Sequence, residues 1–322
     1  MPPPLTPTLP DELLEEIFLR LPPDEPGCLV RASLASKLWL GLLTSPQFSA
    51  RYRELHGPPP MLGFCPMDSY PCEEKRKDFF AMDQEHRVKR FFSTTKFGAR
   101  IPEDKSRGRG RGKCAYSVQD CRHGRVLLDT GPFDPAYTLL VWDPISGCRR
   151  EMHLPENYTS FSAAVLCTVP GCDHRACREG PCMVVSVGME GSEDEEIDYA
   201  DFFARTWSSE TGEWTDPSYA PALPDFAFAI LRSKPPVLIQ NTLYFMIWYP
   251  VEEQAGFIIY DLESSSLSVL EAPPFPGSVD YDSGYIHMAA QDGNLVFAYV
   301  DKFALHLWSR QPAEDPFASV EA

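Results

Sequence analysis

Four times between Val126 and Arg310 the sequence returns to one pattern: an apolar run, a second apolar run that closes on a large aromatic, then a polar turn. Val126-Leu127-Leu128 leads to Leu139–Trp142, the turn 143–147 and the segment Arg149–Leu154. Met183–Gly188 leads to Ala204–Trp207, the turn 208–212 and Glu213-Trp214. Leu243–Trp248 leads to Phe257–Tyr260, the turn 261–266 and Leu267–Leu270. Leu295–Val300 leads to Leu305–Arg310. The anchoring aromatics Trp142, Trp207, Tyr260 and Trp308 lie 65, 53 and 48 residues apart. Such spacing suits four-stranded propeller blades with inserted loops. The turns are built from Asp, Ser, Pro and Gly, the residues that close tight connections between strands. A ring of such sheets hides most strand edges. The 32 prolines also favour a loop-rich all-β body over a helical one. A fifth, vaguer unit spans Met61–Thr95. The last clear unit stops at Trp308, and the 311–318 tail does not read as a strand.

The N-terminal fifty residues follow a different period. Leu13, Leu14, Ile17, Phe18 and Leu21 form one broad helical stripe, stopped by Pro22-Pro23. Thr8 and Asp11 have the spacing of a capping box, with Pro10 in the first turn. Further stripes run through Leu29, Val30, Ser33 and Leu34, then Leu38, Trp39, Leu42 and Leu43, then Phe48, Tyr52 and Leu55. So short a segment buries little surface by itself. It is nevertheless apolar on more than one face, so the surplus face must meet other residues or a partner.

LPDELLEEIFLRLP, LVRASLASKLW and SPQF, in that order over residues 8–57, resemble an F-box. With the repeats that follow, the chain is similar to plant, grass-type F-box proteins carrying a C-terminal kelch-like propeller, here shortened at its C-terminal end. The resemblance implies docking on a Skp-type adaptor through Leu9, Pro10, Leu13, Ile17, Leu29, Lys37, Trp39 and Leu43. One departure stands out: where the family has basic residues flanking its Lys and Trp, this chain has Leu38 and Leu40, which keeps the packing and removes charge.

Charge and composition narrow the classes further. A net charge of −17 argues against general nucleic-acid or anionic-membrane binding. The apolar runs are too short for a membrane span, and MPPPLTPTLP lacks the basic and apolar regions of a signal peptide. Ten cysteines in an intracellular setting read as reduced thiols. The sign of the charge reverses locally: Glu73–Lys113 holds thirteen Lys/Arg against seven Asp/Glu, net +6, against −23 elsewhere. Its Arg-Gly run at 105–113 is cationic but has no interleaved aromatics, so a solvated loop fits it better than an RNA contact.

Three places could hold chemistry. CTVPGCDHRACREGPC gathers Cys167, Cys172, His174, Cys177 and Cys182, and Cys172, His174, Cys177 and Cys182 are the candidate zinc ligands. Their spacing matches no standard finger, and Cys167 follows an apolar run that points it into a sheet. The acidic loop 190–201 has seven acids among twelve residues without the order of a calcium-binding loop. His287 and His306 sit in apolar strands, the usual setting of core histidines. No phosphate loop, nucleophile elbow or Ser/His/Asp set stands out.

The fold class expected is α+β multidomain: a small all-α F-box module (1–57), a linker with first strands and a basic loop (58–115), and an all-β propeller-like domain (116–322). The function expected is that of a non-catalytic substrate-recognition subunit of a Skp–cullin–F-box ubiquitin ligase, cytoplasmic or nuclear and without cofactor. Loops 102–114, 167–182 and 190–202 would face a target protein. A free-standing module binding RNA or sugars, or a propeller enzyme, are the alternatives. An enzyme would need a converging set of metal ligands or carboxylates.

Overall fold

The computed structural model describes residues 9–57, 116–130, 138–155, 158, 160–172, 174, 180–191, 200–221, 229–231, 234–249, 254–272, 286–301, 304–310 and 318–320, with 61, 63, 64, 68, 69, 86, 87 and 92–94. These residues fall into two compact units. The expected class, a small helical module followed by a sheet-rich propeller-like domain, is the class observed.

The first unit contains four helices, α1 (Asp11–Leu19), α2 (Pro26–Ala35), α3 (Lys37–Leu43) and α4 (Pro46–His56). Proline and serine set their starts. Ser36 accepts from Leu38 N–H at 3.1 Å, and Ser45 accepts from Phe48 N–H at 3.1 Å with Pro46 opening α4. The start of α1 departs from the expected capping box. Pro10 itself is the N-cap, with no side-chain cap, and Thr8 lies outside the described residues. Asp11 and Glu12 in the first turn complement the exposed N–H groups instead. The unit also holds the pairing of β1 (Gly63–Phe64) with β4 (Phe92–Ser93). Between them in sequence, β2 (Asp68–Ser69) pairs with β3 (His86–Arg87) in the second unit.

The rest of the second unit is a succession of antiparallel sheets, each made from contiguous sequence. The first comprises β5 (Ser117–Arg122), β6 (Arg125–Asp129), β7 (Thr138–Trp142) and β8 (Arg149–His153); the second β9 (Ser160–Cys167), β10 (Cys182–Gly191), β11 (Ala200–Ser208) and β12 (Ser218–Tyr219). In the third, β13 (Ile230–Leu231) and β14 (Val237–Ile239) both pair with β15 (Thr242–Tyr249), which continues to β16 (Gln254–Asp261) and β17 (Ser266–Glu271). The fourth comprises β18 (Ile286–Gln291), β19 (Asn294–Asp301), β20 (Ala304–Ser309) and β21 (Ala318–Val320).

Two details differ from the expectation. Glu213-Trp214 gives only an isolated bridge from Trp214 to Trp207, and the outer strand of the second sheet is β12. The fourth sheet does not stop at Trp308, because Ala318–Val320 pairs with Leu307–Ser309.

The period-two alternation of strands decides how the sheets stack. On β9, Phe161, Ala163 and Val165 join the core with the first sheet, and Ala164 and Leu166 the core with the third. On β15, Leu243, Phe245, Ile247 and Tyr249 face the second sheet, while Met246 and Trp248 face the fourth. The four anchoring aromatics are all buried. Among the described residues no core cluster joins the fourth sheet to the first.

The first strands of successive sheets meet through side chains as well as packing. On β5, Gln119 accepts from Ala163 N–H of β9 at 3.3 Å, and Asp120 accepts from Val165 N–H at 2.9 Å. Arg122 pairs with Asp120 at 2.7 Å and donates to the carbonyl of Pro236, ahead of β14, at 2.5 Å. Burial pushes the Asp120 carboxyl above its usual range, while Arg122 and the N–H groups of Val165 and Cys121 pull it back only in part.

Candidate partner-binding surface and a cysteine–histidine cluster

The helical unit has a small centre. Leu14, Phe18, Leu19 and Phe48 are buried, with Leu21, Leu29, Ala32, Trp39, Leu42, Leu43 and Tyr52 half-buried around them. Phe18 meets Trp39 edge-on with ring centroids 5.1 Å apart. Two polar contacts tie α4 to the end of α1: Tyr52 Oη donates to Leu21 O at 2.6 Å, and His56 Nε2 lies 2.6 Å from Leu19 O. Arg51 reaches Glu15 at 2.9 Å and Glu16 at 2.5 Å. Burial raises the Tyr52 hydroxyl above its usual pKa.

That centre divides the expected docking residues into two groups. Leu29, Trp39 and Leu43 pack on it and hold the helices together. Leu9, Pro10, Leu13, Ile17 and Lys37 are exposed, with Leu9 and Leu13 at 51% and Ile17 at 47% of full exposure. Leu13 and Ile17 are four residues apart and share one face of α1. Sequence reasoning missed Val30 and Leu34, the matching i, i+4 pair on α2, as exposed positions; Leu34 is 80% exposed. Leu38 and Leu40 are exposed as well, so the departure from the family pattern adds apolar surface and not merely packing volume. The signal was available: four helices of 7 to 11 residues cannot enclose so many leucines.

The cysteine-rich stretch folds into the connection between β9 and β10. Cys167 ends β9, and Thr168 N–H donates to Pro181 O at 3.2 Å to close the base of the connection. A turn then reverses the chain. Cys172 N–H donates to Val169 O at 3.2 Å, with Pro170 and left-handed Gly171 (φ +64°) at its centre, the residues that a type II turn requires. The turn brings Cys172 Sγ, Cys167 Sγ and an imidazole nitrogen of His174 within 4.8 Å of one another. The half-buried Cys167 thus turns towards Cys172 rather than into the sheet. Cys182, its partner across the ladder, is buried in the core between the first two sheets and is not in the cluster. Cys177 lies outside the described residues. The His174 ring rests on that of His123, centroids 4.4 Å apart. Burial first, and then the neighbouring His174, Arg122 and Arg125, lower His123 to a pKa of about 4.

The remaining candidates recede. The Arg-Gly run 105–113 and most of the acidic loop (192–199) lie outside the described residues. His287 is exposed, not a core residue, and His306 is half-buried with its ring stacked on Trp308. Among the described residues no helix is long and apolar enough to cross a membrane.

Residues 7–51 match the family model of the F-box domain. No curated protein matches the sequence. Among solved structures the chain is similar to the β-propeller domain of the Trilobed protease from Pyrococcus furiosus, at 12% identity over 64% of this chain and 58% of that one, TM-score 0.35. It is also similar to dipeptidyl peptidase 4 of Porphyromonas gingivalis, at 8% identity over 67% of this chain and 33% of that one, TM-score 0.36. A GH43 protein from Bacillus licheniformis matches at 9% identity over 64% of this chain and 40% of that one, TM-score 0.32. The chain therefore spans well under two thirds of each, and likenesses at this level say nothing about chemistry.

Proposed function

We propose that this chain is a non-catalytic substrate receptor of a Skp–cullin–F-box ubiquitin ligase. F-box domains bind Skp-type adaptors, and the match over residues 7–51 supports that role here. The observation that carries the reading is the unburied apolar face of the helices: Leu9, Leu13 and Ile17 on and before α1, with Val30, Leu34, Leu38 and Leu40 beyond. A face of this kind costs free energy in water and recovers it when a partner covers it. Lys37 and Pro10 complete the surface, while Leu29, Trp39 and Leu43 act from beneath by fixing the helices. The sheet domain would present its loops, including 167–182, to a target protein. It would act by raising the local concentration of the target's lysines near a charged conjugating enzyme. Such a receptor works in the cytoplasm or nucleus.

Co-expression of the full chain with a Skp-type adaptor tests the reading. A stable one-to-one complex is expected, and Ile17→Asp is expected to weaken it by about thirtyfold or more, the effect of losing a central hot spot of about 2 kcal/mol. Leu305→Asp, an equally exposed residue of the sheet domain, should leave it unchanged. A soluble chain that ignores the adaptor sinks the ligase role and favours a free-standing binding module.

A further inference from the structure

The cluster at the end of β9 has the donor set of a soft metal site. Two thiols and one imidazole converge within 4.8 Å. In a tetrahedral zinc site with Zn–S bonds of about 2.3 Å the donors lie about 3.8 Å apart. The three ligand atoms need therefore close in by no more than about 1 Å. Side-chain rotation on the turn supplies that much without moving the strands.

Three features of the local backbone hold the donors in place. Val169 N–H points at Cys167 Sγ at 3.4 Å, and His174 N–H points at Cys172 Sγ at 3.4 Å. Each cysteine thus receives the N–H two residues ahead of it, the same local bond twice. The type II turn at Pro170-Gly171 sets the distance between the two. His174 itself adopts a left-handed backbone (φ +58°), a conformation that histidine takes up more readily than most non-glycine residues. On its far side the His123 ring restricts how the imidazole can rotate. Cys182, the ladder partner of Cys167, packs in the core between the first two sheets and lies outside the cluster, so the donor set differs from the one that spacing alone proposed.

We propose that Cys167, Cys172 and His174 bind one zinc ion. Two thiolates with an imidazole favour Zn²⁺ over the hard cations Ca²⁺ and Mg²⁺. The ion pins the connection 168–181 to the end of β9. It would thereby fix the shape of one loop on the rim of the second sheet. This site stands or falls independently of the adaptor-binding reading.

The test is the zinc content of the full-length chain, purified reduced and without chelator, then reloaded with Zn²⁺ and desalted. About one equivalent is expected, and His174→Ala and Cys172→Ser should each lower the affinity at least about tenfold, since even outer-shell losses cost 10–100-fold. His174 is exposed, and an unchanged melting temperature of His174→Ala would separate lost zinc from lost fold. Cys121→Ser and Cys148→Ser, both exposed and outside the cluster, should retain full zinc. Cobalt substitution should give thiolate-to-metal charge-transfer absorption that falls to about half in metal-saturated Cys172→Ser, which keeps the Cys167 thiolate alone. The proposal is overturned by wild-type protein that holds no zinc after reloading, by His174→Ala and Cys172→Ser that keep wild-type affinity, or by a cobalt spectrum without thiolate bands. A reduced chain whose Cys167 and Cys172 are oxidised by dissolved oxygen to a disulfide as fast with excess Zn²⁺ as without it also overturns it.

Discussion

Between Leu9 and Leu55 eight large apolar side chains stand exposed, around a centre of four buried ones. In the sheet unit the proportion is reversed: three core clusters run from β6 to β20, and among its described large apolar residues only Tyr219 and Leu305 are exposed. The two units spend comparable sequence hydrophobicity in opposite ways. The second and third sheets bury both faces against neighbouring sheets of the same chain, so their stability is internal. The helices bury one thin stripe and leave the rest, so on the proposed reading part of their stability would come from a partner, by mass action. Exposure that would be a defect in a self-sufficient domain would be the working surface of the proposed docking module.

Substitutions at matched positions test how deep that contrast goes. The largest loss is expected from Phe297→Ala, which empties a fully buried site ringed by Phe257 and Trp308: about 3–5 kcal/mol in denaturant unfolding. Leu34→Ala, equally apolar but 80% exposed, should change stability by less than about 0.5 kcal/mol. Similar losses at both would erase the contrast. Gly188→Val should cost about 1–3 kcal/mol by overpacking. A side-chain carbon there would lie 2.2 Å from the Tyr158 ring, and Tyr158→Ala in the same chain should recover part of that loss. Smallest is Arg51→Ala: its ion pairs with Glu15 and Glu16 are solvent-exposed, so melting should barely move. Hydrogen exchange would sharpen the picture further. Amides of α2 and α3 should exchange faster than those of β10 and β15, and slow on adaptor binding while the sheet amides do not.

Sequence reasoning succeeded where side-chain period and turn chemistry coincide. The pairs β6–β7, β10–β11 and β15–β16 are long, apolar and closed by aromatics, and the turns behave as their residues require. Gly147 and Gly212 take positive φ, and Asp261 accepts from Glu263 and Ser264 N–H groups. The first strand of each sheet was hard to read. β5 is SVQDCR, and its polar residues bond to the neighbouring sheet, so no apolar alternation marks it. β9 was visible only as an apolar run because both of its faces are buried. β12 and β21 are two and three residues long and depend on pairing, not pattern. For the docking residues, the sequence order marked the helices but not which leucines face inward. Trp39 could be sorted from Ile17 only once Phe18 was seen against it. For the metal candidates, register alone does not separate the ladder partners Cys182 and Cys167; the turn at 169–172 does, by bringing Cys172 and His174 back to Cys167.

Because each of the four larger sheets is drawn from contiguous sequence, the ribosome releases them one at a time. The second sheet can pair its strands as soon as Tyr219 has emerged. Val185, Val187 and Met189 then wait uncovered until Leu243–Tyr260 arrive to bury them. Each nascent sheet is thus briefly a sticky surface, and on β15–β16 the side chains of Met246, Trp248 and Phe257 await Leu295, Phe297 and Trp308 of the fourth sheet. A stall or premature stop before Trp308 would therefore release a chain whose third sheet is formed but bare, a substrate for chaperones rather than a smaller working protein.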